Sequence, residues 1–291
     1  MQTATHSISV IHRDAVERKP FFHYRPGRST ITIAAPGCTF SCSYCVNYRL
    51  SQYGRPDSQE WTGEIADVEA VVADAATEQA IIALSYTEPA LAIELTLALA
   101  EASDPYGVEI AWKSNGFLTD RAVDTVAPVL AAVNIDLKAA DNGRHRRLTG
   151  APLTPVWRAI RRLREFGVWI ELSTPLIPGY TDDPEDLATL AAGIADIDID
   201  IPWHLLRFTP TFRMTSQDPT SPDALAGAVS IARSAGLRYV YVERALGDEG
   251  RATRCPGCGT TVVTRGIWNL TANVLVDGRC PACDNTIAGR W

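Results

Sequence analysis

Seven cysteines, and the way they divide along the chain, constrain this sequence more than any other feature. Cys38, Cys42 and Cys45 stand within eight residues, and Cys255, Cys258, Cys280 and Cys283 follow roughly two hundred residues later. Three plus four leaves none over. The opening MQTATHSISVIHRDAVERK lacks the apolar core of a secretory leader, so a cytoplasmic, reducing setting is expected. In that setting such spacing indicates metal thiolates rather than disulfides.

Composition sets the outer limits. A chain of 291 residues, 46% hydrophobic and 21% charged, is large enough to bury a core without staples. No apolar run reaches the ~18–20 residues that span a bilayer, so no membrane partner is expected. A formal net charge of −7 gives no broad cationic field, which counts against general nucleic-acid binding but leaves room for a local basic groove. Lysine occurs only as Lys19, Lys113 and Lys138, beside 24 arginines, so the place of each is informative.

The first cysteine group lies in ITIAAPGCTFSCSYCVNY, a C-x3-C-x2-C pattern behind a β-like stretch. Three thiolates at this spacing wrap one face of a [4Fe–4S] cubane, which normally takes four, and no fourth cysteine is near. One iron is then open to a ligand that is not protein, which suits substrate or cofactor chemistry better than simple electron transfer. The competing assignments are a three-cysteine zinc site, although structural zinc usually has four protein ligands, or unrelated buried thiols.

The pattern CxxxCxΦC, with Tyr44 as the aromatic before the third cysteine, resembles the signature of radical S-adenosylmethionine (SAM) enzymes. Residues 17–52, from ERKPFFHYRPG to GCTFSCSYCVNYRLSQ, resemble more narrowly the radical SAM enzyme of the AmmeMemoRadiSam system. That family is close to the glycyl-radical-enzyme activases, among them the pyruvate formate-lyase-activating enzyme. SYTEP (85–89), SNGF (114–117), NIDLKA (134–139), PLIPGYTDD (175–183) and WHLLRFTP (203–210) follow in family order. The resemblance runs from residue 15 to the C-terminus.

That resemblance implies a set of roles, each with a plainer alternative. Cys38, Cys42 and Cys45 hold the [4Fe–4S] cluster, and SAM chelates its open iron. Glu88 resembles the carboxylate of the family's G-G-E site, which meets the SAM ammonium; alternatively it is a helix N-terminal acid before Pro89. Ser114 and Asn115 resemble SAM contacts. Asp136 and Lys138, two apart and so on one face of a strand, resemble the D-L-K segment that brings a catalytic lysine to the SAM carboxylate; an internal ion pair is the alternative. His204 resembles the late-strand histidine near the SAM ribose, or is a core residue. Tyr44 flanks adenine or packs the loop.

There are departures from the family. Thr87 replaces a glycine or asparagine, Lys113 stands where activases often have an acid, Gly-Asn is missing after YVYV, and a cysteine-rich N-terminal extension of longer relatives is missing. His6, His12, His23 and His145 form no recognisable metal array.

Strand-like segments at about 29–35, 81–86, 108–113, 131–137, 168–174, 202–208 and 238–242 alternate with helical patterns. This predicts an α/β fold, a parallel sheet in an incomplete (βα)6-type barrel, with the motifs gathered at the carboxyl ends of its strands. Thr154-Pro155, Asp183-Pro184 and Ser221-Pro222 read as N-cap and first helical residue, with Gly167 and Gly236 as two of the stops. Arg158, Arg161, Arg162 and Arg164 read as a solvated helix face rather than a phosphate or RNA contact.

The second cysteine group, CPGC and CPAC separated by 21 residues, supplies four thiolates for a zinc-ribbon or rubredoxin-like module. Zn2+ suits it best, with iron as the alternative. The expected domains are a lead-in at 1–28, the barrel at 29–246 and the ribbon at 247–291. The expected function is reductive cleavage of SAM followed by hydrogen abstraction from a protein or peptide, as in the activases. Modification of a small molecule or nucleic acid, or an iron–sulfur and zinc protein without SAM turnover, are the alternatives. A reductant such as flavodoxin or ferredoxin is the implied partner.

Overall fold

The computed structural model describes residues 6–53, 55 and 63–291. A short strand β1 (Ser7–Ile8) pairs antiparallel with β4 (Glu64–Ile65). The principal sheet consists of β2 (Val10–Ala15), β3 (Ser29–Ala34), β5 (Ile81–Leu84), β6 (Ile110–Ser114), β7 (Ala132–Asp136), β8 (Trp169–Leu176), β9 (Trp203–Arg207) and β10 (Val240–Tyr241). Its order is β10-β9-β8-β7-β6-β5-β3-β2. From β3 to β10 every pairing is parallel, whereas β2 lies antiparallel on β3.

Each strand-like segment of the sequence carries one strand, giving a seventh parallel strand where six or so units were expected. Helices form the crossovers: α1 (Tyr48–Ser51) and α2 (Val68–Glu78), α3 (Ile93–Ser103), α4 (Asp120–Val126), α5 (Asn142–Thr149), α6 (Thr154–Glu165), α7 (Pro184–Ile197) and α8 (Pro222–Ser234). The sheet stays open, with β2 and β10 as its edges.

Local chemistry sets the helix starts. Asp183 accepts hydrogen bonds from the Glu185 and Asp186 amides, and Ser221 accepts one from Ala224, as N-caps should. Thr154 is not a cap. It is already helical, Leu153 precedes it, and its hydroxyl and amide instead engage Asn142 Oδ1.

A polar stripe crosses four adjacent strands of the barrel. In register, Lys113 lies opposite Asn134, Asn134 opposite Glu171, Asp136 opposite Ser173, and Ser173 opposite His204. Alternate positions of a strand share a face, so these side chains turn to the same side. What satisfies them is the segment leaving β2. Val16, Phe21 and Tyr24 pack on Ile81, Ala111 and Ala132 at the strands' amino ends. Asn134 donates to the Pro20 carbonyl at 2.7 Å, and buried Glu171 accepts from the Phe22 and His23 amides. The segment thus stoppers the barrel and carries Pro20 up to the floor of the cleft described below.

A three-stranded antiparallel sheet, β11 (Thr253–Arg254), β12 (Thr261–Arg265) and β13 (Leu270–Asn273), follows β10. It shares an apolar cluster with Phe22, Tyr239 and Tyr241, so the C-terminal module is packed against the stopper and the β10 edge.

Candidate active site and metal centre

A cavity of about 480 Å³ opens where the strands end, lined from one side by Cys38, Cys42 and Cys45 and from the other by Glu88, Ser114, Asn115, Asp136 and Lys138. The loop after β3 carries all three thiols to it. Cys38 Sγ receives the Phe40 amide at 3.4 Å and lies 3.5 Å from Asn115 Nδ2, while Cys45 Sγ is 3.1 Å from the Ser51 hydroxyl. Burial, reinforced by Glu88, pushes the Cys38 thiol up to about 12, and burial also raises Cys42. Bare thiolates at Cys38 and Cys42 are therefore disfavoured, and a bound metal cation would stabilise them in the ionised form. Three cysteines on one wall, with amide donors aimed at the Cys38 sulfur and a hydroxyl beside that of Cys45, fit a cluster with one iron left open.

Glu88 is fully buried, and its carboxylate accepts from the Ser114 hydroxyl at 2.7 Å, the Asn115 amide at 2.8 Å and the Ala90 amide at 3.1 Å. Burial raises its pKa against the pull of these donors. It caps the short helical turn at Pro89–Leu91 while also lining the cavity, so the two roles weighed from sequence coexist in one side chain.

Asn115 Nδ2 donates to Thr39 Oγ1 at 2.8 Å, tying the β6 end to the cysteine loop. Gly116 makes the turn that allows this. Its φ is +69°, and a Cβ there would lie 2.7 Å from Ile135 Cγ2.

Asp136 is shared by two ammonium groups: Lys138 Nζ donates at 2.7 Å, and Lys113 Nζ donates both to it and, at 2.6 Å, to Asn134 Oδ1. Burial alone would raise the Asp136 carboxyl, but the two lysines outweigh it and hold it at about 2. Lys138 is raised well above its ordinary value because Asp136 overcomes its burial, while burial lowers Lys113. With Glu88, whose field reaches Lys113 and Asp136, the wall sets two carboxylates against two ammonium groups. Lys138 Nζ also stands 5.6 Å from the Tyr44 ring, whose buried hydroxyl has no hydrogen-bond partner among the described residues.

His204 is placed elsewhere. It does not line the cavity but lies one layer below, with Nε2 2.7 Å from Glu171 and its ring edge-on to Phe22. The strand's alternation explains this, because Leu206, two residues on, is the one that reaches the cavity. The geometry supports the core alternative rather than a ribose contact.

The sequence also left several lining residues unnamed: Arg18, Pro20, Tyr86 and Glu243. Tyr86 has φ +71°, and its hydroxyl donates to Asp14, which buried Lys19 also contacts at 2.7 Å. All three lysines of the chain thus sit in buried ion pairs at or beneath the cleft. Glu171 was missed too, although it is the one acid in the apolar strand WIELSTPL.

The tail supplies a second centre. The ligand atoms of Cys255, Cys258, Cys280 and Cys283 lie within 4.8 Å of one another, with Cys255–Cys283 at 3.5 Å and Cys258–Cys280 at 3.7 Å. Tetrahedral bonds of ~2.3 Å require S···S separations of about 3.8 Å, so the four thiols fit one metal ion closely. The remaining helices offer no membrane span: among the described residues none is long and apolar enough to cross a bilayer.

Comparison with known proteins agrees with this geometry. The radical SAM superfamily profile matches residues 32–191. The uncharacterized protein MJ0808 of Methanocaldococcus jannaschii is 31% identical over 280 residues, covering 94% of this chain and 82% of that protein. The isethionate sulfite-lyase activating enzyme of Nitratidesulfovibrio vulgaris is 30% identical over 128 residues, 42% of each chain, so less than half of that enzyme is spanned. Among solved structures, a radical SAM methyltransferase from Sphaerobacter thermophilus superposes with a TM-score of 0.56 at 20% identity, over 76% of this chain and 67% of that one, a likeness of fold. With the family profile spanning more than half its length and its three cysteines on the cavity wall, this chain belongs to the radical SAM superfamily.

Proposed function

We propose that the chain abstracts hydrogen from a protein or peptide substrate by an activase-like reaction in the cytoplasm, drawing its electron from a flavodoxin- or ferredoxin-like reductant. The observation that carries this reading is the shared cavity: three cysteines on one wall, and on the other a buried carboxylate and an Asp–Lys pair. The partial likeness to an activating enzyme of an isethionate sulfite-lyase supports the substrate class.

A [4Fe–4S] cluster with SAM would supply one-electron reductive cleavage chemistry and, through it, hydrogen abstraction from an unactivated C–H bond. Cys38, Cys42 and Cys45 would hold that cluster. Glu88, already ordered by three donors, offers carboxylate lone pairs to the SAM ammonium. Lys138, kept protonated by Asp136, offers its charge to the SAM carboxylate. Tyr44 has an unused hydroxyl beside them. Pro20 and the stopper beneath close the far end of the barrel, so that side is shut to water and reductant.

The deciding experiment uses anaerobically reconstituted, dithionite-reduced protein with SAM. Methionine and 5′-deoxyadenosine should form, and Cys42→Ala should abolish both. An intact cluster with bound SAM and neither product would rule the reading out.

A further inference from the structure

Arginines at the cleft mouth differ from those on the rest of the surface. On α6, Arg158, Arg161 and Arg162 each meet a carboxylate, Asp120 at 2.8 Å, Asp196 at 2.9 Å and Asp124 at 2.5 Å, and Arg164 meets Asp198. Arg207, which lines the cavity, gives its Nε to the Thr220 carbonyl at 3.1 Å, and Arg244, next in sequence to cavity-lining Glu243, lies over the Trp268 ring at 4.9 Å. Among the described residues neither has a carboxylate partner. Arg18 lies over the same ring at 4.6 Å, and the acid it reaches, Asp14, is shared with Lys19.

Around Asp14 two cations, Arg18 and Lys19, share one carboxylate, in a chain whose net charge is −7. Trp268 stands in the turn joining β12 to β13, so the four-cysteine module itself reaches the rim. The indole N–H donates to Glu243, a cavity-lining residue, at 2.6 Å. The ring is 40% exposed and its neighbour Ile267 46%.

We propose that this rim is a docking subsite for an acidic segment of the protein substrate. The assignment rests on the protein-substrate reading above and specifies its chemistry. Arg207, Arg244 and Arg18 take the carboxylates, and Trp268 with Ile267 takes an adjacent apolar side chain. Arginine presents a fork that matches carboxylate geometry, and Arg and Trp dominate the energetics of protein interfaces. The cavity would also have to hold the cluster and SAM, so the binding contacts of a protein substrate fall on the rim. Only the reacting group of the substrate then enters, and the rest stays on the rim.

The test is fluorescence anisotropy on reconstituted protein, with a labelled peptide of alternating glutamate, glycine and phenylalanine, its glutamine counterpart, and a single-stranded oligonucleotide as competitor. The acidic peptide should bind, weaken as salt rises, and lose at least tenfold in affinity in Arg207→Glu and in Arg244→Glu. Trp268→Ala should also weaken it, and Arg161→Glu should not. Circular dichroism and tail-metal content verify that the variants are folded. Equal binding by all variants, absence of binding to wild type, or tighter binding of the oligonucleotide would each overturn the assignment. Because binding is read without turnover, a failure here is distinct from a failure to cleave SAM.

Discussion

Two residues show how narrowly the cavity wall is specified. Gly116 combines a left-handed φ with a Cβ position inside van der Waals contact of Ile135 and Val156. Gly116→Ala should therefore cost about 3 kcal/mol, from backbone strain plus overpacking, measured as a lower urea midpoint with unchanged slope; a loss below about 0.5 kcal/mol would show that the turn relaxes freely. Glu88→Gln tests the cofactor contact instead. The amide puts a donor where Ser114 and Asn115 already donate, and removes the charge meant for an ammonium. SAM affinity should fall about tenfold, or ~1.4 kcal/mol, in equilibrium dialysis, while the folded circular dichroism spectrum is retained. Unchanged affinity would leave Glu88 as a helix-terminal acid alone.

At the scale of elements, the strands were legible because parallel strands buried on both faces read as apolar runs, and each run is a strand in the fold. The cysteine loop, Glu88, Ser114, Asn115, Asp136 and Lys138 were legible for a related reason: strand ends converge on one rim whatever the helices between them do. His204 misled because a strand's register decides whether a polar residue faces the mouth or the layer beneath, and spacing alone does not give that layer. The stopper was illegible. ERKPFFHY has no periodicity; Lys19 and the family resemblance that begins at residue 17 marked it, and neither places it beneath the sheet. Its chemistry predicts a pH response. His23 Nδ1 donates to the Ala288 carbonyl, Nε2 accepts from the Tyr241 hydroxyl, and burial lowers the ring's pKa to about 4. The unfolded ring, near 6.5, takes the proton more readily. The stability His23 contributes is therefore complete above pH ~6.5 and is lost as pH falls towards 4, by at most about 3 kcal/mol. Thermal melts at about pH 7.5 and pH 5 should show that loss, and His23→Gln should be less stable throughout but less steep. Parallel slopes for the two proteins would assign the response to other groups.

Across the whole molecule, the two cysteine groups serve one body. The tail ribbon shares its apolar cluster with Phe22 of the stopper, and buried Arg265 bonds the Phe22 carbonyl and Thr253. Yet the two ligand sets have no residue in common. Three thiols face an open cavity, and four converge within bonding range of one ion, so each set is complete without the other. Metal content should therefore separate cleanly. Cys42→Ala should abolish the broad visible absorption of the reconstituted cluster and leave about one zinc per chain by elemental analysis. Cys258→Ser should do the reverse, losing the tail ion while retaining the chromophore. Its melting temperature should fall as well, since metal binding at a four-thiolate site is folding energy for the ribbon around it. Zinc lost together with the cluster in Cys42→Ala would mean that the thiols are shared. Iron in place of zinc in that variant would make the tail a rubredoxin-like centre, and with it a candidate electron relay on the face that abuts the stopper.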